Sequence, residues 1–84
     1  MNYTVVWLTD AENELASLWL NSSKREAVTV AAAELDRRLA ENGESEGESR
    51  HHHYRITFEA PLAVVFRVDE INKAVFVGQV WEFQ

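Results

Sequence analysis

Eighty-four residues, 46% of them apolar, make one domain (residues 1–84) with room for a single modest core. The absence of cysteine excludes a disulfide framework or a thiolate metal site. A net charge of −6 leaves no broad basic footprint for a nucleic-acid backbone, and no apolar run nears the ~20 residues of a membrane span. Glu41, Glu44, Glu46 and Glu48 concentrate the acidity in one short stretch, so the body of the chain is close to balanced. The opening residues carry no basic leader of the secretory kind, and the lack of thiols suits a reducing cytoplasm.

Residues 3–8 are β-branched and aromatic and predict a strand. Thr9 and Glu12 then stand at capping-box spacing, and Asp10, Glu12 and Glu14 place negative charge at the positive end of a helix. Ala11, Leu15, Leu18 and Trp19 form the apolar stripe of that helix, which runs to about Leu20. Ser23 and Glu26 repeat the box. A second helix over 24–41 follows, with Ala27, Val28, Ala31, Leu35 and Leu39 on one face and Asn42-Gly43 as a left-handed stop. So short a link makes the two helices an antiparallel hairpin.

Residues 44–49 are Gly, Ser and Glu with nothing to bury, and predict a solvated loop. Apolar and polar residues alternate from Tyr54 to Glu59, a nearly continuous apolar run covers 62–68, and a third strand covers 74–81. Turn residues around Pro61 and over 69–73 separate them, giving an antiparallel three-strand meander. The fold class is α+β, in the order β-α-α-β-β-β, with the helical hairpin packed on the sheet. Centring the first hairpin on Pro61 sets Arg55 opposite Arg67, Thr57 opposite Val65 and Glu59 opposite Ala63. Tyr54, Ile56 and Phe58 then join Leu62, Val64, Phe66 and Val68 as the bed for the helices. Gly78, inside the third strand, marks a bulge or a close approach of another chain.

Arg50, Arg55 and Arg67 are the most suggestive chemical set. Two guanidiniums side by side on a sheet repel unless an anion or a carboxylate lies between them, and their planar donor forks suit phosphate. The alternative is ordinary pairing with Glu59, Glu70 or Glu82 on a solvated face. His51, His52 and His53 admit three readings: a solvated loop, two metal ligands at alternate extended positions that would need a further carboxylate, or acid–base work near neutrality. Trp7, Trp19 and Trp81 read as packing residues, or in the case of Trp81 as a surface for a ligand beside the arginines. Glu44, Glu46 and Glu48 could fold back on Arg50 and Arg55 and screen them. Nothing resembles a phosphate-cradling glycine loop or a nucleophile elbow, and no cofactor is implied.

The run Tyr3-Thr4-Val5-Val6-Trp7 into Asp10-Ala11-Glu12, the segment Gly47-Glu48-Ser49-Arg50, and Arg55-Ile56 followed by Pro61-Leu62-Ala63-Val64-Val65-Phe66 together resemble the RelE/ParE toxin superfamily of bacterial type II toxin–antitoxin modules. The resemblance implies a toxin neutralised by a cognate antitoxin. Its target would be DNA gyrase or translation, the latter through metal-independent, ribosome-dependent cleavage of mRNA. It also implies Arg55 and Arg67 as the phosphate-binding pair, with His53 as proton carrier and Arg50, His51 and Trp81 as flanking binding residues. The chain departs from that pattern at Trp81-Glu82-Phe83-Gln84, where no hydroxyl or imidazole stands. A small interaction or dimerisation domain that uses an open sheet edge is the competing reading.

Overall fold

The computed structural model describes residues 2–49 and 53–83. Its elements are β1 (Thr4–Trp7), α1 (Thr9–Asn21), α2 (Arg25–Asn42), a 3₁₀ turn (Gly43–Ser45), β2 (Glu48–Ser49), β3 (Tyr54–Glu59), β4 (Leu62–Asp69) and β5 (Ala74–Glu82). The five strands form one sheet in the order β1-β5-β4-β3-β2. The meander is β3-β4-β5, as the alternating pattern predicts. Beside it β1 runs parallel to β5, from Thr4 beside Ala74 to Trp7 beside Val77. The last long strand is therefore interior to the sheet, and the helical hairpin crosses from one edge back over its face.

That face is the core. Val75, Val77 and Val80 of β5 and Leu62, Val64 and Phe66 of β4 lie buried under Ala11 of α1 and Val28, Ala31, Leu35 and Leu39 of α2. The helix stripe is the expected one, with Leu15 and Leu18 packed half-buried against it. Ala27 and Trp19 fall outside it and are exposed. In β5 the partners step from Gln79 opposite Val65 to Val77 opposite Phe66, so Gly78 is the extra residue of a bulge. The backbone N–H of Val80 is taken up by Glu14 Oε1 of α1 at 3.2 Å.

Neither expected capping box forms. Thr9 is already inside α1, whose cap position is Leu8, and the Glu12 N–H bonds the Leu8 carbonyl at 2.9 Å. At α2 the cap position is Lys24, and the serine that acts is Ser22. Its hydroxyl accepts from the Lys24 N–H at 2.9 Å and donates to Glu82 Oε2 at 3.2 Å, tying the helical link to the end of β5. Arg25 closes the other side of that link. Its guanidinium donates to the carbonyls of Trp19 and Leu20 at 3.0 and 2.9 Å, serving acceptors that the end of α1 leaves open.

Asn42-Gly43 is not a left-handed stop. Gly43 is right-handed (φ −49°, ψ −39°) and the chain tightens there into the 3₁₀ turn. Glycine is required for space, because a Cβ would stand 2.7 Å from Val75 Cγ2. The left-handed position is Gly47, at φ +72°, where a Cβ would also meet the Ile56 carbonyl. From there residues 48–49 pair with Ile56 and Arg55, so the expected loop ends in a short strand.

The first hairpin is one residue tighter than expected, and the consequence is large. Glu59 faces Leu62 across the two-residue turn Ala60-Pro61, Thr57 faces Val64, and Arg55 faces Phe66. Arg55, Thr57 and Glu59 therefore share the helix side of the sheet. Tyr54, Ile56 and Phe58 point to the other side, where Tyr54 is 43% and Phe58 50% exposed. The expected apolar bed survives in β4 and fails in β3.

Candidate functional site

The polar side of β3 lies under the edge of α2, and Arg38 explains why it tolerates that position. Arg38 follows Ala31 by two helical turns and Leu35 by one, so it stands at the margin of the buried stripe. Its Nη1 donates to the Phe58 carbonyl and to Glu59 Oε1, both at 2.9 Å. Its Nη2 donates to Glu46 Oε1 at 2.6 Å and to Thr57 Oγ1 at 2.9 Å. One guanidinium thus satisfies the buried Thr57, two carboxylates and a strand carbonyl. The hydrogen bond with Glu46 is the main reason its pKa is pushed above the usual arginine value, against an opposing cost from burial. No buried side-chain polar atom among the described residues lacks a partner.

Arg55 works on the same side. Its Nη1 donates to the Glu44 carbonyl and, at 3.4 Å, to that of Glu46. Residue 46 is held twice, by its carboxylate on Arg38 and by its carbonyl near Arg55. The acidic segment does fold back on Arg55, as expected, but through its backbone, and its Glu46 carboxylate goes to an arginine that the sequence reading missed. A signal for Arg38 was present in its spacing from Ala31 and Leu35. An arginine on a helix nevertheless reads by default as a solvated residue.

Arg67 is elsewhere. It faces Tyr54 across the β3–β4 pair, on the outer side of the sheet, with its guanidinium carbon 4.9 Å from the centre of the Phe76 ring. Arg55 and Arg67 therefore lie on opposite faces, and the expected side-by-side pair does not exist. The one-residue difference in the turn is the physical cause. His53 is exposed, with φ +67°, and lines a cleft of about 170 Å³ with Arg55, Val68 and Glu70. Arg50 and His51 lie outside the described residues. Trp81 sits on the outer face opposite Ala63, half-exposed, near an edge-to-face pair of Phe58 and Phe83 with centroids 5.4 Å apart. Among the described residues no three metal-ligating side chains converge, and no helix is long and apolar enough to cross a membrane.

At the end of the sheet beyond the 3₁₀ turn, the Tyr3 hydroxyl donates to Glu70 Oε2 at 2.7 Å, and Lys73 Nζ donates to Glu70 Oε1 at 3.0 Å. Burial, reinforced by Glu70, pushes the Tyr3 phenol up to about 12, while the bonds from Tyr3 and Lys73 hold Glu70 below the usual carboxylate range.

An open groove of about 680 Å³ lies between α1 and α2 at the end of β1. Ala16, Ala32 and Ala33 keep its floor low, and Trp7, Leu15, Trp19 and Leu20 form its walls. Its two charged lining residues, Glu12 and Asp36, are both acidic. The tryptophans are oriented by polar bonds. Trp7 Nε1 donates to Asp36 Oδ1 at 3.1 Å, Trp19 Nε1 donates to Thr29 Oγ1 at 3.0 Å, and Arg25 lies 5.1 Å over the Trp19 ring. The sequence reading placed these residues in helices without seeing that small side chains on both would open a trough between them.

No family model and no curated protein matches the sequence. Solved structures match over nearly the whole length. A chain of the toxin–antitoxin complex RelBE from Mycobacterium tuberculosis superposes with a TM-score of 0.80 at 17% identity, covering 98% of this chain and 99% of that one. A chain of the chromosomal ParDE toxin–antitoxin system of P. aeruginosa gives 0.72 at 14% identity, with 98% and 97% covered. The E. coli toxin RelE, as a double arginine-to-alanine variant in the free state, gives 0.73 at 17% identity, with 98% and 84% covered.

Proposed function

We propose that this chain, which has the fold of the RelE and ParE toxins, is the toxin-like member of a type II toxin–antitoxin pair in the cytoplasm and acts by binding other macromolecules. The observation that carries this reading is the groove between α1 and α2. A monomer gains nothing from leaving Trp19 and Leu20 40% and 61% exposed beside an alanine floor, whereas an amphipathic helix could bury them. The acidic rim selects the occupant. An antitoxin helix with an apolar stripe and flanking Lys or Arg would pair with Glu12 and Asp36, and an acidic helix would be repelled.

A binding mode of action also fits the arginines better than message cleavage does. Arg55 and Arg67 cannot grip one phosphate from opposite faces of a sheet, and Arg55 already serves two carbonyls. Of the targets that the resemblance implies, a protein such as DNA gyrase is favoured over a scissile phosphate on the ribosome. In that case Arg67, Tyr54 and Trp81 on the open face are the surface that meets it.

The test is co-expression with the neighbouring reading frame. The wild-type chain alone should slow growth, and its neighbour should relieve the effect and co-purify. Ala33→Arg, at an exposed helical position, should weaken capture by about tenfold or more through like-charge juxtaposition while the fold stays intact. Undiminished capture by that variant would remove the groove from the account. Absence of both a growth effect and a bound neighbour would reject the pair altogether.

A further inference from the structure

We infer that the uncovered face of the sheet is closed by a second copy of this chain, in a two-fold, face-to-face dimer whose axis runs across the strands at Val65. The face is the one assigned above to a target, so a second copy and a target compete for it. The association itself needs neither a target nor an antitoxin.

A sheet packed on one side and solvated on the other alternates apolar with polar residues, whereas apolar runs mark strands covered on both sides. Here the side away from the helices is apolar as well. It falls into three rows across β3, β4 and β5. Phe58, Ala63 and Trp81 make the first row, and Ile56, Val65 and Gln79 the second. Tyr54, Arg67 and Phe76 make the third, which β1 extends with Val6 beside Phe76. Val6, Leu8, Tyr54, Phe58 and Trp81 are all open to solvent there, from 37% to 50% exposed. Along β1, β5, β4 and β3 the charged side chains on this side are Arg67 and Asp69 alone. Asp69, at the margin, turns its carboxylate onto the backbone N–H and side-chain amide of Asn72. A contiguous apolar surface of this kind marks an interface.

The order of the rows names the occupant, because the face has a cationic end and an aromatic end. At one end the Arg67 guanidinium carbon lies 4.9 Å from the centre of the Phe76 ring. At the other, Phe58 and Trp81 flank the fully buried Ala63, and Phe83 packs edge-to-face on Phe58, so the surface there is a platform of rings. A two-fold axis across the middle row sets Val65 against its own copy and brings each Arg67 onto the other chain's platform. Guanidinium is attracted to aromatic faces, and in a two-fold contact every such pairing is made twice. A foreign partner of either charge would find little on these strands to read, whereas an identical face supplies both halves of the match. Size agrees. A stable dimer needs ~800 Å² per partner, less than a sixth of the chain's 5313 Å² surface and an area that one whole side of the sheet can supply.

The experiment is sedimentation velocity on the full chain alone, across about a hundredfold range of concentration, with amide NMR as the check of fold. Monomer should give way to dimer and go no further, because a two-fold face closes on itself. Val65→Lys places two ammonium groups at the axis and should weaken association about a hundredfold or more. Arg67→Glu, at an exposed position, should weaken it about tenfold by setting a carboxylate against the ring faces; it decides the matter should Val65→Lys not fold. In a dimer mixed from isotope-labelled and unlabelled chains, NOEs should cross from the Arg67 side chain to the Trp81 indole, which stand in different rows of one chain. A chain that stays monomeric throughout would overturn the dimer. So would a dimer that either folded variant leaves intact, one that grows into larger assemblies, or one without the crossing NOEs. If the face is protected from hydrogen exchange only when a co-expressed protein is bound, the occupant is foreign and the second copy is ruled out. Growth effects and capture of a neighbouring gene product enter none of these readouts, so the dimer and the toxin–antitoxin pair stand or fall separately.

Discussion

The helix side of the sheet is two different surfaces. Under α1 and the middle of α2, strands β4 and β5 present Leu62, Val64, Phe66, Val75, Val77 and Val80, all buried and all hydrocarbon. One strand further, on the same side, β3 presents Arg55, Thr57 and Glu59, and stability there rests on the four hydrogen bonds of Arg38. The first surface is held by non-directional burial in proportion to area. The second is held by directional bonds whose partners must all be present. Binding chemistry belongs with the second kind, because displaceable polar contacts can be exchanged for those of a ligand and a packed valine cannot.

The contrast predicts a ranked set of effects. Phe66→Ala, in the hydrocarbon half, should cost about 3–5 kcal/mol in denaturant unfolding, through lost burial and the cavity left behind. Arg38→Met, in the polar half, should cost less, about 1–3 kcal/mol, since Glu46, Glu59 and Thr57 lose their shared donor near the surface where water can partly replace it. If the second change proved the more damaging, the division into two surfaces would be wrong. The smallest effect should come from Tyr3→Phe, which loses the bond to Glu70 below pH 10 and draws level with wild type in alkali. A phenol raised from 10.0 to about 12 in the folded chain contributes stability that is fully present below pH 10 and lost as pH climbs through about 12. The variant should therefore lack the wild-type fall in stability over that window, and the late step of its phenolate absorbance titration should vanish.

The element order and the helix stripes were legible because each rests on a short-range period, and Val28, Ala31, Leu35 and Leu39 could hardly face anywhere but the core. The face of β3 was not. Tyr54 to Glu59 alternates perfectly, but alternation specifies two faces without saying which is covered. The choice turned on one residue in the turn at Pro61 and on a partner, Arg38, on a different element. The side-by-side arginines were a consequence of that choice and went with it. The caps failed for a local reason: each cap position lies one residue from the expected hydroxyl, at Leu8 beside Thr9 and at Lys24 beside Ser23. The groove was hidden because small alanines carry no chemical signature until two helices set them face to face.

The parallel pairing of Thr4–Trp7 with β5 also bears on how the chain is made. During vectorial synthesis β1 emerges first, yet the strand it must lie against appears only after both helices and the rest of the meander. Until then β1 has no place in the sheet and is unpaired along the side that β5 will take. Completion of the sheet is thus a late, long-range step, slow compared with hairpin zipping, and a nascent chain stopped short of residue 74 would present helices and a partial meander without a joined sheet.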